Sequence, residues 1–118
     1  MATTEIFLRE ETSSKRTSGV FAWPAKDAIF FQIDDALFTS GTEEIIVTIE
    51  LSWDGGNTFP VKDETRWVGG VKSAGGASPA VRLGPYRRGN QVQNPTHVRF
   101  SMEPGRGTPT IGLVAEVG

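Results

Sequence analysis

The stretch that most constrains this chain is residues 44–59, EIIVTIELSWDGGNTF, where a long strand signal runs straight into a turn of readable chemistry. Ile45, Val47, Ile49, Leu51 and Trp53 fall on one face of an extended segment, and Glu44, Thr48, Glu50, Ser52 and Asp54 fall on the other. That alternation predicts a half-buried strand. Asp54-Gly55-Gly56-Asn57 follows at once, with glycines where a hairpin requires positive φ and an aspartate whose carboxylate can accept turn amides. Thr58-Phe59-Pro60-Val61 starts the return strand.

The rest of the chain is compatible only with more of the same. Fourteen glycines and seven prolines interrupt it at the short intervals of turns in an all-β protein, and no helical stripe of useful length appears between them. At 118 residues one domain is expected, burying roughly two-thirds of its unfolded surface, enough for a sandwich core. The absence of cysteine removes disulfides, thiolate metal ligands and cysteine nucleophiles together, so the fold must hold by packing. A net charge of −2, from 12 basic and 14 acidic residues, provides no overall footprint for nucleic acid or an anionic membrane. Residues 1–5, MATTE, have neither the basic nor the apolar region of a secretory leader, and no later run is long enough to cross a bilayer; the expectation is a soluble protein made in the cytoplasm.

Residues 1–18 combine Ile6-Phe7-Leu8 with a polar run from Arg9 to Ser18. Two readings stay open: an edge strand at a loose terminus, or an arm laid on a neighbouring subunit by strand addition, with residues 19–118 as the sandwich domain. In residues 28–34, Ile29, Phe31 and Ile33 should face inward. The adjacent Asp34 and Asp35 point to opposite faces of a strand and lack regular ligand spacing, so a solvated strand end is expected rather than a cation site. A turn is expected at 38–42, a strand broken by the pair Gly69-Gly70 at 66–72, a flexible loop at 73–78 and a short strand at 79–84. Residues 85–95, PYRRGNQVQNP, form the longest structureless piece, a length that in compact domains is usually functional or disordered. Two alternating strands close the chain, with Val98, Phe100 and Met102 inside, then Ile111, Leu113, Ala115 and Val117, joined by a hairpin loop at 104–109. About eight strands with one wet face each predict a two-sheet antiparallel β-sandwich, jelly-roll-like and with negligible helix.

Catalytic inventory is thin. His97 is the only histidine, and no glycine-flanked nucleophile elbow accompanies it. Glu44, Glu50, Asp54, Asp63 and Glu64 are too scattered for spacing to place a carboxylate pair in one cleft. The expectation is a non-enzymatic protein without cofactor or metal. Binding groups are better supplied: Tyr86, Arg87, Arg88, Asn90, Gln91, Gln93 and Asn94 make a doubly basic loop suited to carboxylates, phosphate or sugar hydroxyls, with Arg82, Arg99 and Arg106 as candidates to lie near it.

Ser52, Asp54, Gly56, Thr58 and Phe59 spell Ser-x-Asp-x-Gly-x-Thr-aromatic, which resembles the Asp-box, a hairpin motif of sialidases and other β-propeller proteins and also of unrelated β-folds. The resemblance implies a locked turn made by Ser52, Asp54, Gly55, Gly56 and Thr58, with Trp53 or Phe59 packed beneath it. A propeller repeats such a hairpin in every blade, whereas this chain has it once, so a sialidase is not implied. The layout of a short polar arm, a cysteine-free glycine-rich sandwich and the SWDGGNTF hairpin resembles the small virion proteins of tailed bacteriophages. That resemblance implies a structural head or tail protein, made in the host cytoplasm and carried in the virion, with capsid decoration or stabilisation favoured. Its expected partners are a capsid or tail protein and copies of itself. The expected contacts are Ile6, Phe7 and Leu8 of the arm and Arg82, Tyr86, Arg87, Arg88, Gln91 and Gln93 at the loop. The competing expectation is a carbohydrate-binding module or adhesin domain that stacks a glycan on exposed Trp23 or Trp67. A hydrolase would require a cleft around His97 with a carboxylate in reach.

Overall fold

The computed structural model describes residues 3–37, 43–68 and 80–117. The turn expected at 38–42, the glycine pair 69–70, the loop at 73–78 and the side chains of Asp34 and Asp35 lie outside the described residues. In chain order the strands are β1 (Thr4–Glu11), β2 (Arg16–Ala22), β3 (Ile29–Leu37), β4 (Glu44–Ser52), β5 (Val61–Val68), β6 (Val81–Leu83), β7 (Arg87–Arg88), β8 (Gln91–Val92), β9 (His97–Arg106) and β10 (Thr110–Ala115).

Two four-stranded antiparallel sheets hold all of these except the small ribbon β7-β8. One sheet runs β1-β10-β3-β6 and the other β2-β9-β4-β5. Consecutive strands therefore alternate between the sheets at the start of the chain, and the last two long strands insert between earlier ones. This is the strand order of a jelly roll.

Alternation explains the core directly. Ile29, Phe31, Ile33, Ile45, Val47, Ile49, Leu51, Val98, Phe100, Met102, Ile111, Leu113 and Ala115 are all fully buried between the sheets. Phe31 and Phe100 meet at 5.9 Å between ring centroids, and Trp67 closes on Phe31 edge-to-face at 6.1 Å. The hairpin β4-β5 pairs without slip from Glu44 opposite Val68 to Leu51 opposite Val61, which holds Trp67 beside Ile45 on the inner face.

Several local expectations differ from what the chain does. The outer face of β4 is not wet: Glu44, Ile46, Glu50 and Ser52 are buried too. β4 lies between β5 and β9, whose long cationic side chains fold across it. Lys62 and Arg99 both reach Glu50, and Arg66 and Arg106 both reach Glu44. Residues 85–95 are not structureless either, because Gly89 adopts φ 62° and lets Arg87–Arg88 pair back on Gln91–Val92. Strand β9 continues through Pro104 to Arg106, past the residue where alternation ends in the sequence, because Ile45 and Glu44 of β4 still offer it partners. Within residues 1–18, β1 pairs with β10 at the edge of its sheet and buries Phe7, and residues 16–18 already belong to β2.

Three connections meet at one end of the sandwich, namely 23–28, 53–60 and 84–96. Thr96 N–H donates to the Ser52 carbonyl at 2.8 Å, Trp23 N–H donates to the Thr96 carbonyl at 2.9 Å, and the Asn94 amide reaches the Lys26 carbonyl at 3.1 Å. These bonds join segments far apart in sequence and make that end of the molecule one unit.

Candidate functional site

The turn after β4 is built around one carboxylate. Asp54 Oδ1 accepts the Thr58 amide at 2.9 Å, and Oδ2 accepts the Thr58 hydroxyl at 2.6 Å. The Ser52 hydroxyl donates to Asp54 Oδ1 at 2.7 Å and accepts the Gly56 amide at 2.9 Å. Gly55 and Gly56 both take positive φ, 78° and 90°, which a side chain would resist. The Thr58 hydroxyl and amide, then the Ser52 hydroxyl, hold the Asp54 carboxyl well below the usual carboxylate range. Gly55 N–H donates to the Thr96 hydroxyl at 3.0 Å, so the turn is fastened to the 84–96 connection as well as to itself.

Between this turn and that connection lies a cleft of about 350 Å3, lined by Trp53, Val61, Tyr86, Arg87, Arg88 and Gln93. Its aromatic wall is held in place from behind. Tyr86 sits edge-on between Trp23 and Trp53, 5.9 Å from each, at interplanar angles of 71° and 90°. Trp53 Nε1 donates to the Gln93 carbonyl at 3.0 Å, and Gln93 N–H donates to the Tyr86 carbonyl at 2.7 Å. The connection enters the cleft through Gly84, at φ 87°, where a Cβ would stand 2.6 Å from the Asp27 carbonyl oxygen. Burial, and secondarily the charge of Asp63, push the Tyr86 phenol up to about 12.

Among the described residues Arg16, Arg66, Arg99 and Arg106 are each paired with a carboxylate, and Arg82 Nε donates to the Gly84 carbonyl. Arg87 and Arg88 are exposed, and their guanidinium groups have no partner among the described residues.

Of the residues singled out in the sequence, Tyr86, Arg87, Arg88 and Gln93 come together in this cleft. Gln91 is exposed on β8, and Arg82 supports the entry at Gly84 rather than lining the hollow. Ile6, Phe7 and Leu8 lie on β1 in the other sheet: Phe7 is core, Ile6 packs against the core and Leu8 is 64% exposed. Arg99 lies on β9, stacked 4.1 Å over the Phe59 ring and bonded to Glu50, and Arg106 joins Glu44. Trp67 faces Phe31, and Trp23 supports Tyr86 while its Nε1 donates to the Lys26 carbonyl. The residues missed were Trp53 and Val61; a tryptophan abutting a named turn was the signal for the first. His97 lies beside Gly56 with its Nδ1 unpartnered. Among the described residues no cluster of three His, Cys, Asp or Glu side chains could hold a metal ion. Compared with known proteins, the chain matches no family model, no curated protein and no solved structure.

Proposed function

We propose that this chain is a non-enzymatic structural protein of a phage virion, which decorates or stabilises the shell by contacts at β1 and at the 84–96 connection. The observation that carries this reading is the combination of a jelly-roll sandwich with a hydrogen-bonded loop at one end that exposes two arginines. Jelly rolls serve viral capsids and lectins, which is an analogy of architecture and says nothing about chemistry by itself. The loop adds a surface suited to recognition: an aromatic wall flanked by two arginines that no carboxylate among the described residues neutralises, the residue types favoured at the centre of protein contacts. Leu8, exposed on an edge strand whose outer side is unpaired in its sheet, offers a second contact to a copy of the chain.

The test is to separate source material by particle size and quantify this chain by peptide mass spectrometry. Stoichiometric co-migration with virion-sized particles is expected, and absence from particles would sink the reading. Within it, joint Arg87→Ala and Arg88→Ala substitution should lower particle occupancy with the melting temperature unchanged, as should Leu8→Lys. An effect on melting temperature alone would return these residues to the fold.

A further inference from the structure

The cleft has properties that a flat protein contact does not require. At about 350 Å3 it falls near the lower end of the ~300–1,000 Å3 typical of small-molecule sites. Its wall is preformed, because Tyr86 is caught between two indoles and Trp53 is pinned through Nε1, so a rigid ligand would meet little ordering cost.

We propose that this cleft binds a carboxylated saccharide, with one acidic sugar ring seated against Trp53 and Tyr86 and its carboxylate held by a guanidinium of the adjacent pair Arg87 and Arg88. The electron-rich face of an aromatic ring attracts the weakly positive C–H groups on the apolar face of a pyranose, and Val61 extends that apolar floor. Guanidinium matches carboxylate in shape and charge through paired N–H donors, and neither guanidinium has a partner among the described residues. The side-chain amide of Gln93 has no hydrogen-bond partner among the described residues and supplies a donor and an acceptor for ring hydroxyls. A neutral sugar would meet the same wall but offer the guanidinium no carboxylate.

The test is calorimetric titration of the whole chain with a galacturonate trimer, with the neutral galactose trimer and a glutamate hexapeptide as comparators, while the Trp53 indole N–H is followed by NMR. The galacturonate trimer should bind with a Kd below about 1 mM, at least tenfold tighter than either comparator, and should shift the Trp53 signal more than that of Trp67. Joint Arg87→Gln and Arg88→Gln substitution should weaken binding at least tenfold with no change in melting temperature, and added salt should weaken it progressively. Equal affinity for the neutral trimer, no binding up to about 10 mM, or affinity indifferent to the double substitution would overturn the proposal. Preference for the glutamate peptide would overturn it in favour of an acidic protein segment. Both readings draw on Arg87 and Arg88, but co-migration of the unsubstituted chain with particles does not depend on saccharide binding, so failure of the saccharide site leaves the virion reading standing and absence from particles leaves the saccharide site standing.

Discussion

At the residue scale, the turn after β4 depends on two short polar side chains. Ser52 is fully buried, and its hydroxyl is the acceptor for Gly56 N–H and a donor to Asp54. Ser52→Ala leaves that amide unsatisfied and should cost about 1–3 kcal/mol in chemical denaturation. Asp54 adds a pH dependence of definite sign. Its carboxyl is held lower in the fold than in the unfolded chain, so its contribution is fully present above about 3.9 and is lost as pH falls toward the folded value. Asp54→Asn should therefore lower the melting temperature at pH 7, and the gap to the parent protein should narrow in increasingly acidic buffer. Equal gaps at both ends of that pH range would mean that the lost contacts do not depend on ionisation. Much of this site was legible in the sequence because an Asp-box-like turn is local: Ser52, Asp54, Gly56 and Thr58 lie within seven consecutive positions and bond chiefly to one another. The aromatic wall was not legible, since Trp53 is oriented by a carbonyl forty residues away.

At the scale of elements, β4 shows how a strand reading misleads where a sheet is covered on both faces. Glu44 and Glu50 alternate with apolar residues as solvent-facing groups do, and yet Glu50 is only 6% exposed. Burial pushes its carboxyl up, while Arg99 and Lys62 together outweigh that and hold it below its ordinary value. The linked stability is present above the ordinary carboxylate range and falls as pH drops through the folded value. Arg99→Met removes one of the two cations and keeps most of the stem that covers the strand. Its destabilisation should be greatest near pH 7, where Glu50 stays charged, and should shrink toward pH 4, read from paired urea melts. A loss independent of pH would mean that Arg99 acts through packing on Phe59.

At the scale of the molecule, the first strand is structural. β1 pairs with β10, buries Phe7 and places Thr4, whose hydroxyl donates to the Val117 carbonyl at 2.6 Å. Deleting residues 1–11 should therefore abolish cooperative unfolding, whereas a detachable arm would leave the melt unchanged; Leu8→Lys isolates the contact without touching the core. Phe31, at the meeting of Phe100 and Trp67, tests the centre of the sandwich. Phe31→Ala should cost about 3–5 kcal/mol, a large part of the roughly 5–15 kcal/mol that holds a domain folded. By itself the sequence determined the all-β class, the inward residues of β3, β4, β9 and β10 and the locked turn, because strand alternation and turn chemistry are properties of neighbouring residues. Only the tertiary structure decided that β9 and β10 slot between earlier strands, that the outer face of β4 is covered, and that Trp53 joins Tyr86, Arg87 and Arg88 in one cleft. Those outcomes rest on pairings between segments distant in the chain, and local pattern does not record which distant strand will complete a sheet.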